Sequence, residues 1–351
     1  MNGNKPLRNQ TADLLKGIAV LLMIQVHVIE LFSTDAINSS RIGDILLFLG
    51  GPPVAPVFAV IFGYYMFSSN KTTSQLFFRG LKIFGLAMLL NLALNFNLLF
   101  SVNKGIFNID VWPYIFGVDI LHFAGLSLLL IALLKKQLET NLWLVGGLIL
   151  LSVFLGQTLI AFIPNNDLLK YVTSFFYGST TWSYFPLFPW LTYPLLGILF
   201  YKLIHVVDIS FLQKRNFKIV VYMLFSLFLV LTIPYAISIS SDLLRYYHHD
   251  SIFTLWIIVF MIFYVFLVNE MNSIFGQTNL FKYIAWLGKH VTFVYVIQWI
   301  LIGNTATVIF KTINSPLTLI TYYIGIVIIV STILYLKSNV MFLMQTKSEK
   351  K

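Results

Sequence analysis

The stretch Asp13-Leu-Leu-Lys16-Gly-Ile-Ala-Val-Leu-Leu-Met-Ile-Gln-Val-His27-Val-Ile-Glu30-Leu-Phe32 decides the fold class. It stays apolar for the roughly 20 residues that a helix needs to cross a bilayer core. Similar runs lie at 46–67, 77–100, 117–134, 142–163, 186–204, 218–237, 252–269, 291–311 and 317–337, which with 12–32 makes ten. The composition agrees: 58% of the 351 residues are apolar and 10% charged, with a mean hydropathy of +0.85. A soluble domain is about 45–50% apolar and about 25% charged. A water-soluble core cannot hide this much apolar surface, which excludes a cytosolic enzyme or a secreted globule. The expected fold is an all-α polytopic membrane protein of about ten helices. It forms a single transmembrane domain over 1–351, with the site-bearing helices within 12–134 and the remaining helices within 142–337.

The net charge of +10 suits either a nucleic acid or a membrane surface, and its distribution chooses between them. Alternating the ten spans from an inner N-terminus sorts 18 basic residues to the inner face. Arg41, Lys104, Lys170, Arg245 and Lys311 are left outside. The positive-inside rule therefore predicts both termini cytoplasmic, and no nucleic-acid partner is needed. The first run has no small-residue cleavage site after it and is expected to stay as a helix, with Thr11 as its N-cap. The chain has no cysteine, which excludes disulfides, thiolate metal sites and a cysteine nucleophile. The outer segment 164–185 carries Tyr171, Phe175, Phe176, Tyr177, Trp182, Tyr184 and Phe185, the composition of a belt lying on the membrane.

Ionisable groups inside spans are costly and usually face a bundle interior, so they locate the site. The first run carries Asp13, Lys16, His27 and Glu30; the third carries Arg79 and Lys82; the fourth carries Asp119 and His122. Gln298 and Asn304 add polar groups in the ninth. Lys16 and His27 are eleven steps apart, close to three turns and roughly 16 Å, so both look the same way. The cation falls near the inner surface and the imidazole in the outer half, where His122, Asp119 and Glu30 also fall. The plainer readings are packing histidines and snorkelling inner anchors. Gly50-Gly-Pro-Pro53 with Pro56 and Gly63 would break a lipid-exposed helix. Such backbone is tolerated only where protein buries it or a cavity needs it, so the second span is expected to bend around the site. The adjacent His248 and His249 seldom suit one ion, and no metal is expected.

Asp13-Leu-Leu-Lys16-Gly leading to His27 resembles the opening of the membrane-bound acyltransferases. These are the acyltransferase-3 proteins and the bacterial relatives of heparan-α-glucosaminide N-acetyltransferase. Four stretches are similar to the second group: Ala55-Pro-Val-Phe-Ala-Val-Ile-Phe-Gly63, Arg79-Gly-Leu-Lys82, Phe116-Gly-Val-Asp119-Ile-Leu-His122 and Tyr184-Phe-Pro-Leu-Phe-Pro-Trp190. Tyr295-Val-Ile-Gln298 stands where many relatives have Tyr-x-x-His. Two departures are that animal members have Asn at the position of His27, and that Gln298 replaces the late His.

The resemblance implies transfer of an acyl group, usually acetyl, from cytoplasmic acyl-coenzyme A (acetyl-CoA) to a hydroxyl or amine of an extracytoplasmic carbohydrate. It also implies a multi-pass protein of the bacterial inner membrane, in contact with lipid; a homo-oligomer is left open. On this reading Lys16, Arg79 and Lys82 meet the donor's phosphates. His27 is the general base, His122 its rival, and Asp119 or Glu30 orients the imidazole. The alternative is a transporter or flippase of a lipid-linked sugar with an intramembrane His/Asp relay.

Overall fold

A computed structural model describes residues 9–348 apart from 70, 179, 209–211 and 213, with side chains as far as 339. Lys5, Arg8, Lys350, Lys351 and the Lys347 side chain, all part of the charge sorting, lie outside the described residues. Eighteen helices follow one another among the described residues. They begin with α1 (Gln10–Phe32), α2 (Asp35–Asn38), α3 (Arg41–Gly50), α4 (Ala55–Ser68), α5 (Thr73–Leu94) and α6 (Phe96–Asn103). Next come α7 (Trp112–Ile115), α8 (Ile120–Thr140), α9 (Leu142–Leu159), α10 (Asp167–Ser174), α11 (Leu187–Trp190) and α12 (Thr192–Ile204). The last six are α13 (Arg215–Ser240), α14 (Leu243–Tyr247), α15 (Ser251–Phe275), α16 (Asn279–Lys289), α17 (Val291–Ile309) and α18 (Pro316–Ser348). Ten segments are long and apolar enough to span: α1, α3 with α4, α5, α8, α9, α11 with α12, α13, α15, α17 and α18. The described residues contain no named strand, only isolated bridges Ser33–Ile313 and Val118–Ser183. The fold is an all-α polytopic membrane protein with ten candidate spans.

Local chemistry moves several boundaries. Asn9, not Thr11, caps α1 by accepting from the Ala12 amide. Thr11 lies inside the helix, where its hydroxyl donates to Asn269. A capping box between Thr72 and Gln75 starts α5 at Thr73, four residues before the expected edge. The chain then kinks at Asn95, so the run 77–100 is most of one helix and the start of another. In the second span Gly51, Pro52, Pro53 and Val54 are non-helical, as the Gly/Pro run predicted.

The centre of the bundle is α1, buried on nearly every face. Its N-terminal half touches α16, an eleven-residue helix too short to span. The approach is backbone to backbone: a Cβ on Gly17 would overlap the Ile284 carbonyl, and one on Gly288 would overlap the Asp13 carbonyl. The broken span closes on α1 from the other side, since a Cβ on Gly50 would strike Val26. Val26 is next to His27.

The aromatic segment 164–185 folds onto the bundle rather than lying as a free belt. Val118 donates to the Trp182 carbonyl and accepts from Tyr184 and Phe185. Phe175 packs on His122 and Phe84, and Phe185 on Trp190 and Tyr247. These rings have partners inside the fold, which the composition of the segment alone could not show.

Candidate active site

His27 lies five residues before the end of α1, where α17 crosses it. Its Nδ1 is 3.2 Å from Oε1 of Gln298, and the Trp299 ring packs against it at a centroid distance of 3.9 Å, tilted by 32°. An amide oxygen only accepts, so with the amide turned this way the hydrogen belongs on Nδ1 and the lone pair on Nε2. Among the described residues no protein group occupies Nε2. Three residues back along α17, Tyr295 donates its hydroxyl to the Asp119 carboxylate. One face of α17 thus holds His27 at one point and Asp119 at another, as the i, i+3 and i+4 spacing allows. The structure places a neutral amide, not Asp119 or Glu30, on His27 Nδ1.

Asp119 and His122 form a different unit from the one their spacing suggested. Asp119 is the N-cap of α8 and accepts from the Ile120 amide at 2.6 Å. His122 is three residues on, and its Nδ1 accepts from the Asp119 amide at 3.2 Å. This is a reciprocal capping box with histidine in the place usually taken by Glu or Gln. The proton therefore sits on Nε2, which points at Met88 Sδ 3.3 Å away. His122 is 0% exposed and has no lone pair to offer a substrate.

At the N-terminal end of α5, Lys71, Ser74, Gln75, Phe78, Arg79 and Lys82 line a cleft of about 590 Å³. Gln75, Phe78, Arg79 and Lys82 are one stripe of α5 at i, i+3, i+4 and i+7. Among the described residues no carboxylate pairs with Arg79 or Lys82, and the Arg79 charge pushes the Lys71 pKa down, with burial adding to it. The sequence named Arg79 and Lys82 but missed Lys71, which the loop before α5 brings to them. Lys16 is elsewhere: its ammonium pairs with Asp13 at 2.8 Å and lies over the Tyr65 ring. Between Lys16 and His27 on the shared stripe lie Ala19 and Met23, buried in one cluster with Val54, Leu90 and Tyr295.

Glu30 lines a separate outer cavity of about 320 Å³ with Asp44 and Asp242. His248 and His249 are engaged with protein. His249 Nδ1 donates to the Tyr246 carbonyl at 2.8 Å and Nε2 accepts from the Tyr193 hydroxyl at 2.7 Å. Both His248 nitrogens face carbonyls, of Gly178 and Leu244.

Residues 8–226, well over half the chain, match the family model described as heparan-alpha-glucosaminide N-acetyltransferase, catalytic. The chain belongs to this family. No curated protein and no solved structure matches it. The family is one of membrane acetyltransferases, which suggests an acyl-CoA co-substrate. Its matched stretch contains Lys16, His27, Glu30, Arg79, Lys82, Asp119 and His122 and ends before α17. The partners of His27 and Asp119 on that helix come from the geometry alone.

Proposed function

We propose that this integral-membrane acetyltransferase takes the acetyl group of cytoplasmic acetyl-CoA and transfers it to a hydroxyl or amine of an extracytoplasmic sugar. The setting is a bacterial cytoplasmic membrane with both termini inside. The observation that carries the reading is His27: half-buried in the bundle of a family of acetyltransferases, with one nitrogen held and the other free to accept a proton. The acceptor nucleophile is a weak acid and needs such a base within hydrogen-bond reach. Nε2 takes its proton as the nucleophile attacks the acetyl carbonyl, and returns a proton to the departing thiolate. Lys71, Arg79 and Lys82 suit the donor's phosphates, because the cleft presents three cations that no carboxylate neutralises among the described residues. Lys16 was expected to join them, but its ion pair with Asp13 leaves it as a brace for the inner end of α1.

Purified protein in liposomes, given radiolabelled acetyl-CoA on one side and a mixture of amino sugars and neutral hexoses on the other, tests the proposal. Label is expected on a sugar with wild type and not with His27→Asn. Label absent from every sugar while the protein moves unlabelled sugar across the bilayer would replace this reading with transport.

A further inference from the structure

We propose that Gln298, backed by Trp299, is the positioning residue that sets the tautomer and orientation of His27. The inference rests on the reading of His27 as a base. Gln298 and His27 are 271 positions apart and meet only because α17 crosses α1. Gln298 is 0% exposed, and its Nε2 is buried without a hydrogen-bond partner. A buried amide with one end unsatisfied is poor packing material, since Met or Leu would fill the space without that cost. What the amide supplies is its oxygen, which holds the hydrogen on Nδ1 and leaves Nε2 as the only lone pair.

The surroundings leave this task to the amide. Among the described residues no carboxylate is within 4 Å of His27. From α8, Asp119 is taken up by Tyr295 and the Ile120 amide. On α1 itself, Glu30 lines the outer cavity. Trp299 covers one face of the ring and limits its rotation. The base is thus backed by a neutral acceptor where hydrolytic triads use a carboxylate. The imidazolium formed during transfer gets a hydrogen-bond acceptor but no counter-charge.

Two variants separate this role from packing. Gln298→Glu keeps an oxygen on Nδ1 and adds a charge, which moves the titration of His27 up by about 1–3 units. The acid limb of the pH–rate profile moves with it, and kcat recovers toward wild type above that limb. Gln298→Met keeps the size and removes the acceptor. It is expected to lower kcat at least about tenfold, with about 10⁴ as a ceiling set by a triad histidine in the wrong tautomer, and to leave KM for the donor unchanged. Imidazole ¹⁵N NMR of the solubilised protein reads the same property without turnover. Wild type is expected to show His27 with the proton on Nδ1, and Gln298→Met a mixture. A wild-type proton on Nε2, or a tautomer and titration unchanged in both variants, would overturn the proposal. Absence of acyl transfer in wild type would instead count against the function proposed above, because the NMR signature does not depend on it.

Discussion

Replacing Arg79 with Ala is expected to weaken coenzyme A binding by roughly 10- to 150-fold while the protein still inserts. The figure follows from the cleft. Arg79 sits on the α5 stripe with Lys82 and near Lys71, in a space of about 590 Å³, with no carboxylate on it among the described residues. A charge-assisted hydrogen bond contributes about 1.5–3 kcal/mol, which is that range in Kd. The same proximity gives a pH signature. Arg79 holds the Lys71 pKa below the usual lysine range, so as pH rises Lys71 loses its proton earlier than an isolated lysine would. Donor affinity should therefore fall on the alkaline side in wild type, and the fall should move to higher pH in Arg79→Ala. Because Arg79 and Lys82 are exposed, salt should also weaken wild-type binding, as screening at an ionic strength of about 0.5 M reduces attraction between exposed charges. Titration calorimetry with coenzyme A, the product, avoids turnover. An unchanged Kd in both Arg79→Ala and Lys82→Ala, with no salt dependence in wild type, would refute the reasoning and leave these residues as interfacial anchors.

His27→Asn keeps a hydrogen-bonding side chain but cannot take up a proton at neutral pH, so turnover should fall by about 10²–10⁴ with donor affinity retained. His122→Asn should instead act on stability, lowering it by about 0.5–1.5 kcal/mol through the loss of the bond from the Asp119 amide; the opposite pattern in steady-state kinetics would make His122 the base. Burial pushes the His249 pKa down from 6.5 to about 4, so its neutral form is favoured in the fold. The associated stability is present above about pH 6.5 and is lost as pH falls toward 4, by about 3 kcal/mol in all. Thermal melts against pH should lose that part of their slope in His249→Gln, and an identical slope would exclude His249 as its source. For topology, Lys135→Cys and Lys214→Cys should resist an impermeant thiol reagent in intact cells while Lys104→Cys and Arg245→Cys react; the reverse labelling would invert the membrane orientation.

The ten spans were legible because a helix in hydrocarbon must satisfy its own backbone and stay apolar for about 20 residues, a constraint written in composition. The break in the second span was legible for the same reason, since Gly50-Gly-Pro-Pro53 cannot continue a helix. Edges were less legible because they depend on single side chains: Thr72 with Gln75 at the start of α5, and Asn9 rather than Thr11 at α1. The site divides more sharply. His27 could be picked out as an imidazole in an apolar helix, but the group on its Nδ1 could not, because helical periodicity carries no information about which distant helix crosses there. Charge suggested a carboxylate, while the structure supplies Gln298. The available signal was weaker: Tyr295 and Gln298 at i and i+3 in a late apolar helix. Asp119 and His122 show the converse. Their spacing is equally that of an N-cap and its N3 partner, and the backbone of α8 takes what the spacing seemed to offer a substrate. A buried polar side chain in a membrane helix serves either the chain's own backbone or something that comes and goes. What separates the two is the lone pair left over after the internal bonds are made: His122 keeps none, and His27 keeps one.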